Sequence, residues 1–474
     1  MSAADIERLE YRDKGWRALV SGRTRLVSLA LCAGVALHAV NLYVSTTILP
    51  SVVQDIGGLE YYAWNTTMFV AASILGATLS SRLLADVGPR GAYALGSGAF
   101  AVGSAACALA PTMAMMLAGR SIQGLGGGLL LALAFALVRR VYPEPVWSRA
   151  MALLSSTWGM ATLLGPAAGG VFAEMGNWRA AFGSIAIAAL LLPVLAARAL
   201  PRHEAVLRSA RGDNLPWPQL VLLLAAVVAV SWGSLPGSVM QTLGGLASAA
   251  ILVHAIVRLE VRSPCRVLPQ GVFSRCSPIG QLYGLSVLMA ATVTCTEIFL
   301  PLFLQDLKGF SPLAAGYVAA LMSAGWTLAA IASASLRGHW LDRAVRLGPF
   351  LSLASLIALM GALPMPPESE LAGAVTLCAL VASGMGVGLA YPHFCARIMQ
   401  VATHEQADQA SASIMTVQLC ATAFGAALAG LVVNLAGGVG DTGVFNAGNA
   451  ARWLFAVIAL APIACIGVMW KGWR

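Results

Sequence analysis

Charge is what this sequence has least of. Asp, Glu, Lys and Arg make up 10% of its 474 residues, against about 25% in an ordinary soluble domain. Hydrophobic residues make up 58%, more apolar surface than a soluble fold of this length can hide, whereas lipid accepts it. Long hydrophilic stretches are missing too. That leaves no room for a nucleotide-binding domain, and without a Walker sequence ATP is excluded as the energy source. No basic stripe with interleaved aromatics occurs, so the net charge of +9 does not point to nucleic acid. None of the nine cysteines forms a Cys-x-x-Cys pair. Cys32, Cys107, Cys295, Cys378, Cys395, Cys420 and Cys465 lie in apolar runs and Cys265 and Cys276 in a short loop, so they read as packing residues. No metal, redox centre or other cofactor is expected.

Apolar runs are what the chain has in abundance. A helical crossing takes about twenty apolar residues. Fourteen runs fit, at 27–50, 62–84, 91–110, 113–138, 150–172, 180–200, 218–235, 239–257, 278–304, 312–335, 348–365, 371–396, 410–435 and 451–470. The first is too long for a signal-peptide core and is read as a retained span. With the N-terminus in the cytoplasm, the inside segments hold 25 Lys and Arg and the outside loops only three, Arg179, Lys308 and Arg452. That asymmetry predicts an even number of spans and two cytoplasmic termini. The expected product is an all-α, multi-pass protein of the inner membrane.

A weak internal repeat crosses the chain. The hairpin after the second span reads Arg82-Leu-Leu-Ala-Asp86-Val-Gly88-Pro89-Arg90, and that after the tenth reads Trp340-Leu-Asp342-Arg343-Ala-Val-Arg346-Leu-Gly348-Pro349. An offset of eight spans suits two six-helix halves separated by two inserted helices. Repeated halves are a hallmark of secondary transporters, whose substrate site lies between them near the midplane. The segments are then an N-terminal stretch 1–26, a six-helix bundle 27–200, a linker with the inserted pair 201–277, a second bundle 278–470 and a tail 471–474.

Three motifs carry chemistry. In the fourth span, Arg120-Ser-Ile-Gln123-Gly124-Leu-Gly126-Gly127-Gly128 combines an arginine that is costly to bury, by about 2.5–3.5 kcal/mol, with glycines that let a neighbouring helix approach. It follows no strand, so it is not a dinucleotide loop; the same holds for Gly384-Met-Gly386-Val-Gly388 in the twelfth span. In the fifth span, Gly159, Gly165, Pro166, Gly169 and Gly170 give a smooth face and a proline that kinks the helix. Ordinary small-residue packing explains that face equally well.

Together these residues resemble the major facilitator superfamily, and most of all its fourteen-helix drug:proton antiporters, the EmrB/QacA-like group. Arg120, Gln123, Gly124 and Gly126 match the superfamily's helix 4 motif. Gly159, Gly165, Pro166, Gly169 and Gly170 match its antiporter motif. Trp178-Arg179-Ala-Ala-Phe182 and Leu300-Pro301-Leu-Phe-Leu-Gln305, followed by Gly309, Ser311, Pro312 and Gly316, are similar to further stretches of the group. The resemblance covers nearly the whole chain. It implies a major facilitator fold and a gating role for the fifth-span glycines and for the Asp86–Arg90 hairpin. There are departures. Asn41 stands where the group has an acid in the first span. Ala85 stands where the hairpin motif has Asp, with Asp86 one residue late, and Ser81 replaces the first glycine.

Glu297, within Thr294-Cys-Thr296-Glu297-Ile-Phe-Leu-Pro301, is read as the one carboxylate well inside a span and as the proton-coupling candidate, since intramembrane acids are proton relays by default. Solvation at the outer interface is the competing reading. His38, Asn41 and Ser45 are spaced to share one face of the first span. They are read as cavity-lining, with His38 a second titratable group, or else as a structural contact between helices. Arg120 is expected to modulate a nearby carboxyl. Gln123 and His393 complete the substrate-cavity candidates, His393 reading better as a satisfied core or interfacial side chain. The expected activity is proton-coupled export of small organic molecules by a monomer in the lipid bilayer. Uptake or facilitated diffusion of a metabolite is the alternative, and a transport-inactive sensor a third.

Overall fold

The computed structural model describes residues 17–142, 146–201, 216–263, 266–274, 277–402, 407–437 and 445–472. The stretch 1–16, most of the linker's first part (202–215) and the two loop cysteines Cys265 and Cys276 lie outside the described residues. After one helical turn at Arg17–Val20, the long helices are α1 Gly22–Ile56, α2 Tyr62–Ala108, α3 Met113–Val141, α4 Trp147–Glu174, α5 Trp178–Ala199, α6 Trp217–Gly233 and α7 Val239–Arg262. They continue with α8 Pro278–Lys308, α9 Pro312–Ala334, α10 His339–Ala362, α11 Glu370–Val401, α12 Ala407–Gly437, α13 Ala447–Ile458 and α14 Leu460–Gly472. Starts follow local chemistry. Thr112, Asn177, Ser238, Ser311 and Ser369 each accept a hydrogen bond from a backbone N–H of the first turn, satisfying a donor that the helix leaves unpaired.

Among the described residues, eleven stretches are long and apolar enough to cross a membrane. One of them, Leu59–Ala108, has 50 residues; at 1.5 Å per residue that is about 75 Å, more than twice the roughly 30 Å hydrocarbon core. Its helical geometry fails at Gly88, where φ is 71° and ψ is 177°, a conformation essentially reserved for glycine. The loop expected around Asp86 is therefore corrected: the helix runs through Asp86 and folds back at one residue. The second hairpin differs as well. Gly348 and Pro349, expected to open the eleventh span, lie well inside α10, which begins nine residues earlier at His339. Apolar runs mark only the part of a helix that needs lipid, so a polar first turn escapes them. The last run, 451–470, likewise divides at Ala459 into α13 and α14.

The described residues fall into two compact units, one within Met1–Ser45 and Met68–Asp213, the other within Thr46–Thr67 and Asn214–Arg474. In the first, α3 packs between the two arms of α2 through its glycines. A Cβ on Gly124 or Gly128 would overlap the carbonyls of Phe69 and Ser73 on the first arm, and one on Gly126 would strike Gly96 O and Phe100 N on the second. In the second unit α11 does the same. Gly384 and Gly388 sit on the carbonyls of Met322 and Trp326 of α9, and Gly386 on Gly348 of α10 and on Ser352. The contacts superpose register for register, with the same two-residue and four-residue spacings. The repeat that was faint in the hairpins is therefore explicit in the helix packing.

The inserted pair α6–α7 belongs to the second unit. Gly233 and Gly245 bring the two helices together, a Cβ on Gly245 approaching Gly233 Cα to 2.7 Å. The same end of the pair is held by Asn434 of α12, whose Nδ2 donates to Ser234 O at 2.9 Å and to Glu60 O at 2.8 Å. Trp64 Nε1 donates to Ser231 O at 3.1 Å. Of the candidate spans α7 is the least enclosed by protein and α8 the most.

Candidate functional site

The fully buried guanidinium of Arg120 organises the first unit. It lies 4.2 Å from the centre of the Phe69 ring, and its Nη1 donates to Gln123 Oε1, one helical turn along α3. The Gln123 amide then points its Nε2 outward, donating to Asn41 Oδ1 at 3.0 Å and to Ser104 Oγ at 2.7 Å. Ser104 passes the chain on to Phe100 O at 2.7 Å. All four polar residues are buried, so the network ties α1, α3 and the second arm of α2 together inside the unit. Asn41 Nδ2 has no hydrogen-bond partner among the described residues.

His38, one turn before Asn41, is 2% exposed. Its ring sits against Phe69 at 5.1 Å and Trp158 at 5.9 Å between centroids, with Gly127 close to Nδ1. Ser45 is buried too. His38 thus packs against rings from α2 and α4 inside the first unit. Asn41 alone of the three also borders a recess of about 460 Å³ between α1, α4 and α5.

The fifth-span motif lies on α4. Gly165 is pressed against Tyr43 and Val40 of α1, and Pro166, Gly169 and Gly170 are buried with it, whereas Gly159 is exposed and a Cβ there would meet nothing within 4 Å. The motif is therefore a packing face over four of its five residues. At the Gly88 bend, Asp86 pairs with Arg82 at 3.7 Å on the exposed surface and not with Arg90. Arg90 Nε instead donates at 2.7 Å to the carbonyl of Leu200, which ends α5, where a cation complements the helix dipole.

Glu297, in the second unit, is half-buried on α8, and Ser323 Oγ of α9 donates to its Oε1 at 3.4 Å. Around it α8 is held to α12 by Cys295 Sγ to Gly425 O at 3.2 Å and to the start of α2 by the stacked rings of Tyr62 and Phe299, 5.1 Å apart. His393 Nε2 lies 2.9 Å from Ser333 Oγ. Glu297 stands well inside α8, and a second acid, at the end of a span, is more deeply buried. Glu260, in the last turn of α7, is 4% exposed. It was missed because α7 continues past the apolar run. Ser104, Phe69 and Trp158 were missed for want of any signal, since nothing in their local sequence separates them from packing residues.

Residues 31–426 match the Major Facilitator Superfamily. The chain belongs to this superfamily. It is 39% identical over 458 residues to a probable multidrug-efflux transporter of Mycobacterium tuberculosis, covering 94% of this chain and 95% of that protein. It is 26% identical over 458 residues to an uncharacterized transporter of Escherichia coli, covering 92% and 93%. Among solved structures, a D-xylose–proton symporter shares the fold with a TM-score of 0.67 at 14% identity, covering 95% of this chain and 98% of the other. The chain is thus a multi-pass cell-membrane transporter of the major facilitator fold, and its substrates are small molecules.

Proposed function

We propose that this superfamily member is a proton-coupled exporter of small, mostly apolar, drug-like molecules, acting as a monomer with fourteen spans and cytoplasmic termini. The observation that carries the export reading is the likeness, over 94% of the chain, to a protein named as a probable multidrug-efflux transporter. The span count is supported by the break of α2 at Gly88 and by α4 and α6 standing where apolar runs were counted. In this reading Glu297 carries the proton. It is an acidic side chain in the most enclosed span, with one long hydrogen bond from Ser323, so gaining or losing a proton disturbs little else. Arg120 and Gln123 fix Asn41, and Asn41 cannot release a proton. One charge crossing 100 mV is worth about 2.3 kcal/mol, enough to hold roughly a fifty-fold gradient of a neutral substrate.

Facilitated movement of a metabolite is the second reading, favoured by Asn41 in place of an acid. Energised inverted vesicles carrying wild type or Glu297→Gln separate the two. Collapse of the pH gradient on adding cationic or neutral drugs, lost in Glu297→Gln, supports antiport through Glu297. Collapse that survives the substitution removes Glu297 from the mechanism. No collapse while labelled solutes equilibrate leaves the facilitator.

A further inference from the structure

The second unit contains a recess of about 680 Å³ bordered by α6, α7, the connection that follows α7, α8, α12 and the α13–α14 segment. It lies entirely within that unit, where the inserted pair meets the bundle. It follows α12 from Thr416 to Val432, about 24 Å at the helical rise per residue, so it is a long slot. Its walls include Leu223, Val257, Phe424 and Leu428, and apart from Gln219, Glu260 and Thr416 every lining side chain is apolar or cysteine. Gln219 opens α6 and Glu260 closes α7, so both stand at the same end of the hairpin.

Glu260 is 96% buried there by its 4% exposure. One carboxylate oxygen, Oε1, accepts from Leu268 N at 2.6 Å. The carboxylate also draws on the Val267 N–H and the Gln219 amide, yet Oε2 itself has no hydrogen-bond partner among the described residues. Arg266, a cation that acts on Glu260, turns its Nε and Nη2 to the carbonyls of Ser263 and Val261. A buried carboxylate oxygen without a donor is costly to keep, and a slot this apolar does not stay open to water for its own sake.

We propose that this slot binds one amphiphile, a single alkyl chain along α12 whose head donates a hydrogen bond to Glu260 Oε2. The volume falls in the range of small-molecule sites, about 300–1,000 Å³. The proposal does not depend on transport direction or on Glu297.

The test uses the full-length protein in lipid nanodiscs and a dodecylamine carrying a photoreactive diazirine at the chain end. Adducts are expected on residues of the slot, displaced by dodecylamine and dodecanol. Dodecyltrimethylammonium, a cation of the same length that donates no hydrogen bond, should compete about tenfold more weakly, as loss of a hydrogen bond to a charged group implies. Each methylene removed from the competitor should weaken it about fourfold. Glu260→Gln should weaken dodecylamine about tenfold, and Leu428→Trp, at the exposed rim, should block the label altogether. Labelling spread evenly over the exposed face of α7, equal competition by the trimethyl compound, or indifference to both substitutions would overturn the proposal.

Discussion

The three glycines at two-residue spacing in α3 and in α11 make a quantitative prediction possible at a single atom. Gly128→Ala puts a methyl group into the carbonyl of Ser73, and Gly388→Ala puts one into the carbonyl of Trp326. The obstacle in each case is backbone, which cannot rotate aside, so the helices must separate. Overpacking of this kind costs about 1–3 kcal/mol, and a fixed backbone obstacle argues for the upper end. Against it stands the gain of about 1 kcal/mol from replacing a helical glycine by alanine. The net expectation is a loss of about 2 kcal/mol at either site. Gly159→Ala is the control of opposite sign. A methyl there meets nothing within 4 Å, so only the propensity gain of about 1 kcal/mol remains. Titration with sodium dodecyl sulfate, followed by far-ultraviolet circular dichroism, measures all three variants in one detergent background. Two equal losses and one gain would establish that both units are built on the same close contact. Gly128→Ala as stable as Gly159→Ala would refute the reasoning, because it would mean α3 is not seated on the first arm of α2.

Asn41→Asp should destabilise at neutral pH although Gln123 Nε2 can still donate to Oδ1, because it puts an ionisable carboxyl at a fully buried position, where a charge is costly to hold; chemical denaturation checks it. Arg120→Met should cost about 1–3 kcal/mol by leaving Gln123 Oε1 buried without its donor, and drug-stimulated proton flux in vesicles should fall with it. Asn434→Leu should leave the carbonyls of Glu60 and Ser234 unpaired, at about 1–3 kcal/mol each if they stay dry. A cysteine placed at Ser234 should then react faster with a water-soluble maleimide. Lys308→Met should cost about 1–2 kcal/mol through the lost bonds from Nζ to Ala362 O and Met365 O, read as earlier unfolding in the same detergent titration.

The helices were legible because crossing lipid demands long apolar runs, and each expected run coincides with described helix. The glycine motifs of α3 and α11 were legible as close-approach faces because no other residue permits such contact. The partners were not legible: that Gly126 meets Gly96 while Gly124 meets Phe69 depends on how two arms of one long helix fold about Gly88. Asn41 could be placed on a polar face by spacing alone, but not joined to Gln123, since a period says which residues face together and not what they face. Glu260 shows the opposite failure. Hydropathy ends a span where polar residues begin, and so it discards a buried acid in the last helical turn.

The α6–α7 hairpin closes on itself through Gly233 and Gly245 and is fastened to the rest of its unit at that same end through Asn434 and Trp64. A pair of helices that carries its own seam can enter the bilayer during synthesis as one piece and wait there for α12 to be made. It can also be gained or lost by a gene as one piece. The paired contacts of α3 and α11 do not pass through it, so a duplicated ancestor could have acquired this hairpin between its copies without altering the register of either one.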